Sequence, residues 1–418
     1  MRDHEPRPDL AEQRLTTKEA AELLGVKPET VYAYVSRGQL SSRRVPGGRG
    51  STFDAKEVEA LARRNRRESG GSPGSGGEPA VRTRLTLIDT DRYYFRGVDA
   101  TELAARHSYE EVAEWLWTGR LRPGATFTAP EAAVAVARRA VDALPEHTAP
   151  TDRLRVAAIA AAVADPLRFD LSEEAVLGTA RVLIPTLVAA LPPMGYDDQE
   201  GGPLAHRLWT RLSGRPADEA SLRALDRALA LLVDHDLAAS TLAVRVAASA
   251  RAHAYAAVST GLGVLEGPLH GAASGLAHRL LLDVLDRGDA APVIADELRA
   301  GRRIPGLGHR LYPGEDPRAR ALFALLEEIP RAEPALLAAR DIVATTARHA
   351  PLHANVDLAL AVLTASSGMP ATAGETVFAV ARTAGWIAHA LEEYGERPLR
   401  MRPSGHYVGP RPPQPLPE

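Results

Sequence analysis

The 418-residue sequence predicts an all-α protein: a small helix-turn-helix head, a tether, and a large helical body. Three observations support this. Hydrophobic residues make up 45% of the chain but aromatics only 5%, so the core is built mainly from Ala, Leu and Val. Ala and Leu lose little conformational freedom on entering a helix, which favours that state. Apolar residues recur at three- and four-residue spacing through most of the chain, with no βαβ alternation. The composition also changes abruptly at "ESGGSPGSGGEPAV" (68–81), where Gly, Ser and Pro without apolar content make a flexible linker. The chain therefore divides into a head (1–67), a linker (68–82), a body (83–410) and a Pro-rich, extended tail (411–418).

In the head, "LTTKEAAELLGVKPETVYAYVSRG" reads as two short helices. Thr17 is the expected N-cap of the first, which places Ala20, Ala21 and Leu24 on one face and ends at Gly25. Pro28 suits the first turn of a second helix over about 28–37, stopped by Gly38. A short strand-like stretch, a glycine-rich turn (Gly47, Gly48, Gly50) and a third helix from Asp54 follow. Two short helices joined across a glycine form a helix-turn-helix. From Thr30 to Arg67 there are nine Arg/Lys against three Asp/Glu, although the whole chain carries a formal charge of only −3. This stretch and the following "RRVPGGRGS" resemble the excisionase-like and MerR-like winged helix-turn-helix heads. The resemblance implies that the second helix enters the major groove of DNA while the wing follows the backbone. Lys27, Thr30, Tyr32 and Tyr34 are then the candidates to face bases or phosphates, and Arg43, Arg44 and Arg49 to pair with phosphates. The alternative is a docking module whose arginines keep it soluble.

The body opens with the alternating "RLTLI", a short-strand pattern. Helical patterns recur at 131–143, 153–165, 173–191, 218–234, 240–257, 272–286, 291–300, 316–328, 334–348, 354–367 and 375–394. The absence of cysteine excludes disulfides, thiolate metal sites and a Cys nucleophile. There is no dinucleotide fingerprint and no phosphate loop. No apolar run reaches the roughly 18 residues that span a bilayer, and the first residues lack a signal-peptide stretch. The expectation is a soluble cytoplasmic protein without a membrane partner.

Four interruptions of the helical pattern carry polar side chains suited to chemistry. They are "VDHDLAAST" (233–241), "LEGPLHGAASG" (265–275), "RIPGLGHRLYPGEDPRARA" (303–321) and "HANVDLAL" (353–360). Each puts a His or Asp at or near a helix terminus, where free N–H groups and the dipole favour bound anions. Arg382 in "VARTAGWIAHALEE" and Arg402 in "RMRPSGHYVG" follow.

With "YYFRGVDATELA", "DHDLAASTLAVRVAAS", "GPLHGAA", "PGLGHRLYPGEDPRA", "NVDLALA", "ARTAGWIAHALEE" and "RPSGHYVG" in this order, residues 83–410 resemble citrate synthase. The resemblance implies a two-lobed helical body that condenses acetyl-CoA with oxaloacetate, an acyltransferase in which the CoA thioester is a substrate and no cofactor is needed. It implies Asp357 as the base that deprotonates the acetyl methyl. His270 is implied as the donor to the thioester oxygen and His309 as the donor that polarises the ketone. His235, Arg318, Arg382 and Arg402 are implied to hold the substrate's oxygens, with arginine able to grip each carboxylate bidentately. It also implies a homodimer in which Arg402 reaches the neighbouring subunit's site. CoA is implied to bind along the loop Pro305, Gly306, Leu307, Gly308, with Arg310 nearby. This chain departs from many bacterial members by having Pro313 in place of Lys, Ala238 in place of Asn, and Ala273-Ser274 where they have Asn.

Three alternatives follow from the same residues. His349, His353 and Asp357, at i, i+4 and i+8, have the spacing of zinc ligands on one helix face, although Pro351 opposes a continuous helix there. A 2-methylcitrate synthase acting on propionyl-CoA would use the same catalytic set. A transcription regulator with a metabolite-sensing body would explain the head. His278, His389 and His406 read as packing or surface residues, and His389 as a core or interface histidine.

Overall fold

The computed structural model describes residues 14–24, 26, 28–36, 39–44, 51–59, 61, 81–195, 201–267, 270–271, 273–404, 406–411, 413–414 and 416. The chain forms two compact units, Met1–Arg82 and Thr83–Glu418.

In the first unit β1 (Arg14–Thr16), α1 (Thr17–Leu24), α2 (Pro28–Ser36), β2 (Ser42–Arg44) and β3 (Ser51–Asp54) follow in order. β3 is the central strand, antiparallel to β1 and β2. Residues 55–59 are helical. The N-cap of α1 is Thr16, one residue before the expected Thr17. Glu19 N–H donates to Thr16 Oγ1 (3.3 Å), while Thr16 N–H donates to Glu19 Oε2 (2.8 Å). This reciprocal pair is a capping box, worth about 1 kcal/mol, and it moves Thr17 into the first turn. Ala20, Ala21, Val31, Leu40, Phe53, Val58 and Leu61 form the core of this unit.

The second unit starts with an antiparallel sheet of β4 (Thr86–Ile88), β5 (Tyr93–Phe95) and β6 (Val98–Asp99), with the "RLTLI" pattern as its first strand. Helices then follow one another. They are α3 (Ala100–Arg106), α4 (Tyr109–Thr118), α5 (Glu131–Asp142), α6 (Pro150–Ala164) and α7 (Glu173–Ala190). Next come α8 (Leu204–Leu212), α9 (Glu219–Leu232), α10 (Ala239–Ser249), α11 (Ala254–Leu265) and α12 (Ala273–Arg287). The last are α13 (Ala290–Arg299), α14 (Pro317–Leu326), α15 (Glu333–Ala347), α16 (Val356–Ser366) and α17 (Ala373–Tyr394).

The single helix expected over 240–257 is two, α10 and α11. Arg251, at φ +62°, turns the chain, and His253 caps α11 by accepting Ala256 N–H on Nδ1 (3.1 Å). Apolar spacing continues across the break, so periodicity alone conceals it. α8 was not anticipated as a separate helix.

α17 is the axis of this unit, buried along most of its length and packed by α4, α7, α9, α10 and α11. Gly385 is the close-approach point: a Cβ there would collide with Val233 O and Asp234. The missing side chain brings α17 directly against the 233–235 turn, so His389 reaches Asp234 while Arg382 reaches the last carbonyl of α9 at Leu232. Among the described residues no helix is long and apolar enough to cross a membrane.

Candidate functional site

The interruptions singled out in the sequence are where site side chains emerge. His235 follows the end of α9 and is buried, with Nε2 2.8 Å from Tyr312 Oη. His309 lies edge-on to it, ring centres 5.3 Å apart, and tilted 4.8 Å from the Tyr312 ring. Leu311 N–H donates to His309 Nδ1 (3.1 Å). His309 Nε2 lies 3.3 Å from Arg318 Nη2.

Arg318 opens α14 immediately after Pro317, which is pre-shaped for the first helical turn. Asp316 caps the helix through Arg318 N–H (3.0 Å) and grips the guanidinium through Nε (3.0 Å) and Nη2 (2.8 Å). Both side chains are buried. Burial alone would lower the Arg318 pKa, but the Asp316 charge and hydrogen bonds outweigh it and raise it. Asp316 Oδ2 also accepts Val356 N–H (3.1 Å), which docks the start of α16 onto the same pair.

Asp357 is the second residue of α16. Asn355 caps this helix by accepting Asp357 N–H (3.0 Å), and its Nδ2 donates to Gly308 O (2.9 Å). The 305–309 loop runs antiparallel to 353–355, with a bridge at Leu307–Ala354, Gly308 N–H on His353 O (2.8 Å) and Asn355 N–H on Gly306 O (3.0 Å). Gly306 sits at φ +81°, and a Cβ there would meet Leu358 Cβ at 2.9 Å. One amide side chain and one small residue thus fasten the His309 loop to the helix of Asp357. Burial pushes the Asp357 carboxyl up to about 6, with Asp316 adding to the rise and Arg318 opposing it.

His270 and Arg382 form the other side. His270 Nε2 is 2.8 Å from Ser240 Oγ, at the start of α10, and its ring is edge-on to Phe378. Arg382 lies over the Phe378 ring at 4.5 Å, and its Nε donates to Leu232 O (2.9 Å). Its Nη2 is buried with no hydrogen-bond partner. Burial lowers the Arg382 pKa to about 10, against the opposing Asp234 charge and with Arg318 adding to the fall.

The two sides share one electrostatic field. Burial, then Arg318, Arg382 and His309 in turn, hold the His235 pKa well below its usual value. Burial and then Arg382 hold His270 at about 4, and burial and then Arg318 hold His309 at about 4. All three imidazoles are therefore neutral near pH 7. They surround two guanidiniums, only one of which has a bidentate carboxylate partner. Such a cluster has neutral donors, spare positive charge and a carboxyl group close to its titration point. It suits an enzyme that handles a small polyanion and moves a proton.

Sequence reasoning missed Tyr312 and Ser240, which hold His235 and His270, and Phe378, which lies between His270 and Arg382. No local signal marks either hydroxyl, since Tyr312 is 77 positions from His235 and Ser240 is 30 from His270. Ala238 N-caps α10 without a side-chain bond, and Ser274 Oγ is buried without a partner, both where the family resemblance led one to expect an amide. Arg402 is exposed. Arg310 is exposed beside the 305–309 loop. The zinc alternative loses its helix: α15 ends at Ala347 and α16 begins at Val356, so His349, His353 and Asp357 share no helical face. His278 is buried with Nδ1 2.7 Å from Thr364 Oγ1, His389 is a core residue, and His406 is exposed.

In the head, Tyr34 is partly buried and packs against the core. Tyr32 is exposed, its hydroxyl 3.2 Å from Thr17 Oγ1. Thr30 is partly buried, and Arg43 is exposed on β2 opposite Thr52. Lys27, Arg49 and the side chain of Arg44 lie outside the described residues, as does most of the expected linker.

Comparison with known proteins agrees with this architecture. Residues 74–404 match the family model for the citrate synthase C-terminal domain, and residues 14–66 match a helix-turn-helix domain. A citrate synthase of Haloferax volcanii is 32% identical over 367 residues, covering 80% of this chain and 95% of that protein. A citrate/2-methylcitrate synthase of Bacillus subtilis is 29% identical over 81% of this chain and 97% of its own. The crystal structure of citrate synthase from Thermotoga maritima superposes with a TM-score of 0.65 at 27% identity, covering 81% of this chain and 95% of that one. The chain belongs to the citrate synthase family and carries a helix-turn-helix head. It is an acyltransferase of the condensing type that this family defines.

Proposed function

We propose that the body condenses acetyl-CoA with oxaloacetate and water to give citrate and CoA. The observation that carries this reading is the Asp357 carboxyl, pushed up to about 6 with the buried Arg318 guanidinium acting on it, while Arg318 in turn acts on Arg382, whose Nη2 is unpartnered. An anion receptor needs the guanidiniums but has no use for a poised carboxylate. A base for a weakly acidic methyl group does.

Oxaloacetate binds through its two carboxylates to Arg318, Arg382 and His235, and the spare Nη2 of Arg382 gains its partner. His309 polarises the ketone. Asp357 removes a proton from the acetyl methyl while His270 donates to the thioester oxygen, and the enol carbon attacks the ketone. Removing one such donor typically costs about 3–4 kcal/mol of transition-state stabilisation. Water then cleaves the citryl thioester, releasing citrate and CoA. CoA lies along the backbone of Pro305–Gly308, with Arg310 as an exposed cation at the end of the loop and Pro313 contributing none.

The active form is a homodimer with shared sites. Ile159 and Val163 on α6, Leu167 and Phe169 after it, and Leu242 and Val246 on α10 are all exposed. α6 and α10 both pack on α11, so these residues lie on neighbouring elements. Exposed apolar surface of this kind marks a protein interface. Arg402, exposed in one protomer, completes the site of the other. The helix-turn-helix head binds DNA through α2 and the β2–β3 wing.

Free thiol release measured with acetyl-CoA and propionyl-CoA, with and without oxaloacetate, tests the reaction. Release should require oxaloacetate and be faster with acetyl-CoA. Faster release with propionyl-CoA makes the enzyme a 2-methylcitrate synthase, since one methylene is worth only about 1–3 kcal/mol of discrimination. No release with either thioester ends the reading.

A further inference from the structure

The segment that leads to Arg402 is fastened with unusual care for a chain that ends exposed. Arg251 donates to three carbonyls at and just past the end of α17: Glu393 O (3.3 Å), Tyr394 O (2.6 Å) and Glu396 O (2.7 Å). Leu399 N–H donates to Ser249 O (2.8 Å), and Met401 N–H to Ser249 Oγ (3.3 Å). Leu399 itself has φ +58°, a left-handed conformation that costs a side-chain-bearing residue energy and needs enforcing.

The strongest fastening is Glu393. Its carboxylate is fully buried and holds Arg400 by two parallel bonds, Nε to Oε1 at 2.7 Å and Nη2 to Oε2 at 2.6 Å. On its other side Arg245 Nε donates to Oε2 (3.2 Å). Arg245 Nη1 lies 3.0 Å from His389 Nδ1. A guanidinium has no acceptor, so Nδ1 accepts and the His389 proton sits on Nε2. His389 Nε2 reaches Asp234 at 3.2 Å. Asp234 precedes His235 and also accepts a bond from Thr86. A continuous chain of paired polar groups thus runs from the floor of the pocket to Arg400, two residues before Arg402.

Burying a carboxylate is costly unless it is well paired, and nothing in the chemistry of the pocket itself uses Glu393. We propose that Glu393, through Arg400 and together with Ser249, is a positioning residue that sets where Arg402 is presented to the partner subunit's oxaloacetate site. This rests on the reading of Arg402 as a carboxylate ligand across the dimer. The bidentate geometry is the point of the device. It fixes the direction as well as the distance of the chain at 400, which a single ammonium in place of the guanidinium would not.

The test uses full-length dimeric enzyme and steady-state kinetics with each substrate varied. Arg402→Met is the reference variant: it should raise the KM for oxaloacetate and leave the KM for acetyl-CoA within about twofold. Arg400→Met removes the clamp from its more exposed end without stranding a buried cation. It should raise the KM for oxaloacetate about tenfold, the order expected when a ligating group is displaced by a fraction of an ångström. Arg400→Lys should recover little of this loss, and Arg400→Met combined with Arg402→Met should be no worse than Arg402→Met alone. Glu393→Gln, if it melts like the wild type, should behave as Arg400→Met does. An unaffected Arg402→Met overturns the cross-dimer reading and this proposal with it. A defective Arg402→Met beside a normal Arg400→Met, or additive losses in the double variant, overturns the clamp alone.

Discussion

Replacing Asp357 with Asn separates what the pocket does for catalysis from what it costs the fold. The side chain keeps its shape and loses its charge. In the folded protein the carboxyl titrates at about 6 against an ordinary value of 3.8. That displacement corresponds to about 3 kcal/mol by which the fold disfavours the ionised form. The sign follows from proton linkage. Between pH 3.8 and 6 the folded state binds more protons at this site than the unfolded state, so stability is lost as pH rises. Below 3.8 both states are protonated and there is no penalty. Above 6 the penalty is complete. Asp357→Asn should therefore raise the urea stability of the body by about 2–3 kcal/mol at pH 7.5, and the gain should shrink towards zero at pH 4. The same substitution should lower kcat by about a hundredfold to ten-thousandfold, since proton transfer by a positioned base contributes about 10²–10⁴. For the wild type, kcat/KM should fall about tenfold for each pH unit below 6, with an acid limb near that value. His270 and His309, held at about 4, are neutral throughout and should add no second step above pH 5. A variant that is less stable than wild type at pH 7.5, or a gain that persists at pH 4, refutes the assignment of strain to this carboxyl.

Other consequences can be checked with the same assays. Tyr312→Phe deletes the hydroxyl on His235 Nε2 and leaves the ring that faces His309, so it should raise the KM for oxaloacetate about 5–100-fold, the range of one lost buried bond. An equal rise in the KM for acetyl-CoA would point to general damage instead. Gly306→Ala places a Cβ 2.9 Å from Leu358 Cβ at a positive φ, which should separate the CoA loop from α16. Its loss should appear mainly as a higher KM for acetyl-CoA with an unchanged acid limb, and an unchanged KM would show that the loop adapts. For the head, duplex binding by the full-length chain should weaken steeply between 50 and 200 mM salt, as expected when several phosphates are neutralised. A curve flat with ionic strength would favour a protein-docking head.

The sequence announced the site more clearly than its supports, and the reason is physical. The candidate residues His235, His270, His309 and Asp357 stand where the helical pattern breaks, as a side chain that is to meet a substrate must leave the packed face of a helix. Glycine, proline and cap residues mark those breaks, so the breaks are visible in one dimension. Arg318 and Arg382 are different: both lie on helices and are buried, and only the resemblance distinguished them from surface arginines. What holds these residues was not legible. Tyr312 meets His235 from 77 positions away, and Ser240 meets His270 from 30, so neither pairing leaves a local pattern. The break between α10 and α11 was hidden for the opposite reason. Its apolar spacing is continuous, and a non-glycine residue, Arg251, takes the left-handed turn that would normally announce itself with glycine. Arg251 then spends its guanidinium on carbonyls at and just past the end of α17, so the residue that turns the chain after α10 also secures the route to Arg402. That double use accounts for an arginine at a position where local geometry alone would select glycine.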